Sequence, residues 1–246
     1  ARPFGAVLTP MHLMANNRAT IRLTTNLAQG PFRVNLGYLI SREFENLSSE
    51  VTFYHKVTGL YMSRVDRFQQ QAGPNGEITT FFSQRVGVLS EEVSSAPRGY
   101  NAFRINAKWR NKGLKNPAFL FYLGEFLSTQ EQPALLPKMG TSALVRAHYH
   151  EVDGYMPVNE KTALVFYTGL ERIVGNENTE GKGVDEQGNP MHLDGLGTAL
   201  GLGLDISMTK SSSLFLRSKR VRYQDRSDAG LRLKGWEATV EFKIQF

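Results

Sequence analysis

Cysteine is absent from the 246 residues, which excludes a disulfide scaffold, a thiolate metal site and a cysteine nucleophile. No apolar run approaches the ~18 to 20 residues that a membrane-spanning helix needs, and the mean hydropathy is negative. That excludes helical spans only, because a membrane strand takes about 9 to 11 residues and only every second one must be apolar. Acidic residues are the minority, 23 against 29 basic ones. The resulting pI of ≈ 9.5 comes with no nucleic-acid-binding motif, so no nucleic-acid partner is expected. The N-terminal Ala1-Arg2-Pro3-Phe4 has neither the charged nor the apolar region of a signal peptide, so an exported form is expected to have lost that peptide. With 41% hydrophobic residues, 11% aromatics and 23 glycines, the chain matches neither a disordered segment nor a coiled coil, and it is long enough to fold.

What the sequence does carry is alternation. In Gly235-Trp236-Glu237-Ala238-Thr239-Val240-Glu241-Phe242-Lys243-Ile244-Gln245-Phe246, apolar and polar residues strictly alternate, the period of a two-faced strand. The same pattern runs through Phe32, Val34, Leu36, Tyr38 and Ile40 and through Phe103, Ile105, Ala107 and Trp109. Weaker alternation covers residues 21–27, 51–57, 60–68, 78–88, 143–149, 196–208 and 214–223, while 119–126 and 163–170 are apolar on both faces. Together these make about twelve strands. All ten prolines avoid the strand interiors, as expected of a residue that cannot donate into a ladder.

The connections alternate in length. Those over 90–99, 128–140 and 176–194 are long and follow odd-numbered strands; 72–76, 111–116 and 209–212 are short and follow even ones, with 152–160 between. Such asymmetry fits a barrel with short turns at one end and long loops at the other. A long terminal strand would also be an aggregation hazard as the free edge of an open sheet. The final segment, with Ala238, Val240, Phe242, Ile244 and Phe246 at alternate positions, resembles the terminal strand of Gram-negative outer-membrane β-barrels. The resemblance implies an all-β, closed antiparallel transmembrane β-barrel of about 12 strands, with ten or fourteen as the alternatives. Residues 19–246 would form the barrel and residues 1–18 a periplasmic segment or an additional strand, with both termini in the periplasm. It further implies an outer-membrane location, barrel-assembly machinery reading Phe242, Ile244 and Phe246 as an insertion signal, and aromatic girdles containing Tyr38, Trp109 and Trp236. The competing architecture is a soluble β-sandwich or lipocalin-like barrel, in which the apolar faces would be the buried ones.

On the barrel reading, alternation assigns Arg22, Arg33, Arg104, Lys108, Arg110, Arg146 and Lys243 to the lumen against Asp205, Glu237 and Glu241. That basic surplus favours a porin-like channel for small anionic solutes. The alternative is a non-conducting barrel, sealed by pairing of these charges, within a larger outer-membrane assembly or secretion complex, with protein partners. Arg217, Lys219, Arg220 and Arg222 are expected to contact lipopolysaccharide phosphates at the loop end. A third reading, a lipid-modifying enzyme, rests on Ser142, His148, His150 and Glu151, but Ser142 and His148 are about 20 Å apart along one strand. No catalytic group, metal or cofactor is assigned. The Gly195-Leu196-Gly197-Thr198-Ala199-Leu200-Gly201 run leads into a strand, so its glycines are expected to curve the strand or make room in the lumen rather than bind phosphate. Asp185-Glu186-Gln187-Gly188-Asn189 has too few ligands for a calcium loop.

Overall fold

The computed structural model describes residues 18–45, 50–54, 83–88, 97–111, 117–130, 143–179, 187–188, 191–227 and 232–244. Among them every regular element is a strand: β1 Arg18–Gln29, β2 Phe32–Glu43, β3 Glu50–Tyr54, β4 Ser83–Gly87, β5 Gly99–Arg110, β6 Phe119–Gln130, β7 Ala143–Pro157, β8 Thr162–Gly175, β9 Asp194–Ser207, β10 Ser212–Asp225 and β11 Arg232–Ile244. Nine of them form one antiparallel sheet in the order β1-β2-β5-β6-β7-β8-β9-β10-β11, a meander in which strands joined by the chain are neighbours. β3 and β4 pair only with each other. The expected strand at 60–68, the segment 1–17 and the final Phe246 lie outside the described residues.

Of the expected dozen strands, eleven fall among the described residues, nine in this sheet and two paired apart, because periodicity identifies a strand but not its partner. Between the described edges β1 and β11 there is no ladder. The odd count has a consequence for direction. β1 enters the sheet at the end with long connections and β11 leaves it at the end with short turns, so the described strands do not bring both ends of the sheet to one side.

Local chemistry makes the short turns. Gly30, at φ 55°, takes the left-handed position of the two-residue β1–β2 turn, which glycine adopts without a Cβ penalty. In the β7–β8 turn the Asn159 side-chain oxygen accepts from the backbone N–H of Lys161 and of Thr162, both at 2.8 Å. The strands are also staggered. A line of paired residues beginning at Phe32, the first of β2, runs through Trp109, Leu120, Gly154, Phe166, Leu202 and Ser218 to Ala238, six positions before the end of β11. Such a progressive stagger is what tilted barrel strands require.

The register sorts every strand residue onto one of two faces, and their burial is the reverse of a water-soluble sheet. On one face lie Glu125, Tyr149, Glu171, Thr129, Ala147 and Ile173, all fully buried. On the other lie all the exposed large hydrophobic side chains described in the sheet's strands, among them Ile21, Phe32, Phe103, Leu120, Met156, Leu170, Leu202 and Val240, the last 71% exposed. The polar face is covered along most of β6 to β10 and at the long-connection ends of β2 and β5, while on β1 and at Arg33, Lys108, Arg110, Glu241 and Lys243 it is exposed. At the long-connection end it also holds an apolar row, Leu39, Ala102, Leu127, Ala147 and Ile173, paired across β2, β5, β6, β7 and β8. Leu193, from the connection before β9, belongs to the same buried cluster.

The glycines of β9 now have a role. Gly195, Gly197, Gly201 and Gly203 all lie on the polar face, where longer side chains of the flanking strands cross them: Tyr223 over Gly195, Glu171 over Gly197 and Arg217 over Gly203. This is the room-making function expected of them. A Cβ at Gly197 would stand 2.5 Å from Cγ and Oε1 of Glu171, which is itself fully buried. Gly197→Val is accordingly expected to lower unfolding stability by about 1–3 kcal/mol through overpacking, measurable as a lower urea midpoint. Leu202→Val, on the open face of the same strand, should change it far less.

Candidate functional site

The polar face is the place where chemistry could occur, and its charges are segregated by strand. β1, β2 and β5 contribute Arg22, Arg33, Arg104, Lys108 and Arg110, against the single acid Glu43. β6 to β9 contribute only acids: Glu125, Glu151, Asp153, Glu171 and Asp205. β10 and β11 are mixed, with Arg217, Lys219 and Lys243 beside Asp225, Glu237 and Glu241. Among the side chains described, this face thus holds eight basic and nine acidic groups, with Arg18 at a further position of the same register. The basic surplus read from the sequence is not there, because Glu125, Glu151, Asp153 and Glu171 were missed. They sit on β6 and β8, whose two faces are both apolar enough to cancel the alternation signal, and on β7, whose alternation misleads.

Several of these charges are tied down. Arg104 Nη2 donates to Glu125 Oε1 at 3.2 Å, with Glu125 at 0% and Arg104 at 13% side-chain exposure. Arg217 forms an ion pair with Asp205 across β9 and β10, and its guanidinium also lies over the Phe215 ring. Lys219 stands 4.6 Å from the centre of the Tyr167 ring and Lys108 5.9 Å from that of Phe119. At the long-connection end Tyr100 Oη donates to Glu43 Oε1 at 2.6 Å, and the Arg98 backbone N–H donates to Glu43 Oε2 at 3.2 Å. Asp225 Oδ1 accepts from the Ser227 backbone N–H and hydroxyl at 3.0 and 2.6 Å. Nearer the short turns an amide ladder crosses three strands, Asn106 to Asn35 at 3.3 Å and Asn35 to Asn26 at 2.6 Å. Beside it Arg33, Lys108 and Phe121 help line a cavity of about 400 Å³.

Of the basic residues assigned to this face, Arg22, Arg33, Arg104, Lys108, Arg110 and Lys243 are on it, as are the acids Asp205, Glu237 and Glu241. Arg146 is a correction. It pairs with Ser128 and Val174 and lies on the apolar face, near the long-connection end of β7. There Val145, Ala147 and Tyr149 are the covered side, so reading the greasier alternation as the open side inverts the strand. The run Arg217, Lys219, Arg220, Arg222 is split in the same way. Arg217 and Lys219 point to the polar face with the partners just named, and only Arg220 and Arg222 belong to the apolar face. Phe242 and Ile244 are exposed on the apolar face.

The histidine constellation does not assemble as an acid–base site. His148 and His150 lie on the apolar face among aromatics: the Phe126 ring meets them edge-on at 5.1 and 5.3 Å, and Tyr122 Oη shares a 3.0 Å hydrogen bond with His150 Nδ1. Glu151, one residue on, points to the opposite face, and Ser142 lies outside the described residues. Among the described residues no three His, Asp or Glu side chains form a metal-binding group. Compared with family models, curated proteins and solved structures, the chain matches none of them.

Proposed function

We propose that the sheet closes into a small barrel spanning a bacterial outer membrane, with its apolar face against lipid, its polar face inward and its lumen filled by its own side chains. The protein is then a non-conducting barrel that serves as a membrane-anchored subunit of a larger outer-membrane assembly. The supporting observation is the burial of Glu125, Tyr149, Glu171 and the row from Leu39 to Ile173 on the polar face, since barrels of about eight strands are just narrow enough for side chains to fill. On the outside, the eight steps from Trp236 to Ile244 span about 26 Å along β11 at ~3.3 Å per residue, close to the ~25 Å apolar band of such barrels. Trp109 and Phe32, paired near the short turns, and Trp236, at the opposite limit of that band, would lie at its two borders. In planar bilayers the purified chain is expected to show no stepwise conductance.

The second reading, a channel for small anionic solutes, draws on the cavity lined by Arg33 and Lys108. Steady conductance with anion preference would establish it in place of the first. Closure itself is tested by amide exchange in detergent. In a barrel the β1 and β11 amides exchange as slowly as those of β7, whereas an open sheet leaves every second amide of each edge strand fast.

A further inference from the structure

On the apolar face, β9, β10 and β11 change character abruptly along their length. Starting at the short turns, the paired rows are Ile206–Leu214–Phe242, Leu204–Leu216–Val240 and Leu202–Ser218–Ala238. The next row, Leu200–Arg220–Trp236, carries the first charge, and beyond it Arg222 pairs with Lys234 and Gln224 with Arg232. Arg220, Arg222, Arg232 and Lys234 are all exposed, and among the described residues none has an acidic partner. By contrast Arg172 and Arg226 nearby both reach Asp194, at 3.3 and 3.8 Å. Between β10 and β11 the surface forms a groove of about 550 Å³ lined by Arg220, Lys234, Gly235 and Trp236. The indole Nε1 donates to Ser218 Oγ at 2.9 Å, which fixes the ring at the groove's apolar end.

We infer that this groove binds the phosphate of a lipopolysaccharide lipid, with Arg220 and Lys234 on the phosphate and the acyl chains lying along Trp236, Leu200 and Leu202. The inference rests on the membrane-barrel reading. An occupant must satisfy two demands at once: cations that have no acidic partner among the described residues call for an anion that can take charge-assisted hydrogen bonds, and the exposed leucines directly below call for hydrocarbon. A phosphorylated lipid meets both. The long-connection end, which faces outward in barrels of this kind, places the groove in the outer leaflet, where that lipid is lipopolysaccharide rather than a phospholipid.

The test is native mass spectrometry of the full chain in neutral detergent, titrated separately with diphosphorylated lipid A, phosphatidylglycerol and phosphatidylcholine. Lipid A should be retained in preference to both others. R220S/K234S should weaken that retention at least about tenfold, the scale of losing charged hydrogen bonds, while Arg220→Lys, which keeps the charge, and Lys243→Ser, on the polar face of β11, should bind like the parent. Equal retention of phosphatidylglycerol, or full retention by R220S/K234S, overturns the inference while leaving the barrel intact. A chain that stays monodisperse without detergent overturns the membrane reading itself.

Discussion

Arginine in place of Val240 is expected to destabilise the protein in bilayers by about 2 to 4 kcal/mol, the cost of a cation near the middle of a lipid-facing strand. Val240 is 71% exposed and follows Thr239 on β11. In a water-soluble protein so exposed a position would accept arginine within about 0.5 kcal/mol. Glu241→Arg places the same charge one residue away, at an exposed position of the polar face, and should alter stability by less than about 1 kcal/mol. Reversible urea unfolding from lipid vesicles measures both. Similar small effects for the two variants would mean that the apolar face does not meet lipid.

The second large effect concerns the polar face. Arg104→Met leaves the fully buried Glu125 without the cation that faces it, and removing one member of a buried pair typically costs about 3–5 kcal/mol. Glu125→Leu added to that variant should recover most of the loss, because an apolar pair of similar volume can replace a buried ion pair at little or no cost. A double-mutant cycle on the unfolding midpoint reads this directly. If Arg104→Met is silent, the pair is open to water and the polar face is not packed.

Eleven of the twelve expected segments are strands and the twelfth, 60–68, lies outside the described residues; the two-faced character of β2, β5 and β11 was legible because their polar and apolar residues separate cleanly by parity. Orientation failed on β7 and on half of the Arg217 to Arg222 run for one physical reason. Near the long-connection end the polar face is roofed by apolar packing around Leu144, Ile173 and Leu193, so Val145, Ala147 and Tyr149 belong inside. At the same height the opposite face passes from the apolar band to cations, half-buried at Arg146 and exposed at Arg172, Arg220 and Arg222, so these belong outside. The two faces exchange polarity along a single strand, and a rule that assigns apolar residues to one face throughout inverts there. β6 and β8 hid their acids for a related reason: the row through Leu127 and Ile173 makes their covered face as greasy as their exposed one. The pairing of β3 with β4 alone involves a choice of partner that no one-strand pattern encodes.

On the membrane-barrel reading, the apolar face of this sheet meets hydrocarbon while the polar face does not. The absence of native cysteine permits a direct measurement: single cysteines at each position from Gly235 to Ile244, each carrying a polarity-sensitive fluorophore, in vesicles containing a lipid-phase quencher. Quenching is expected with period two, strong at positions 236, 238, 240, 242 and 244 and weak at 235, 237, 239, 241 and 243. Uniform quenching along the strand, or none at the even positions, would contradict it.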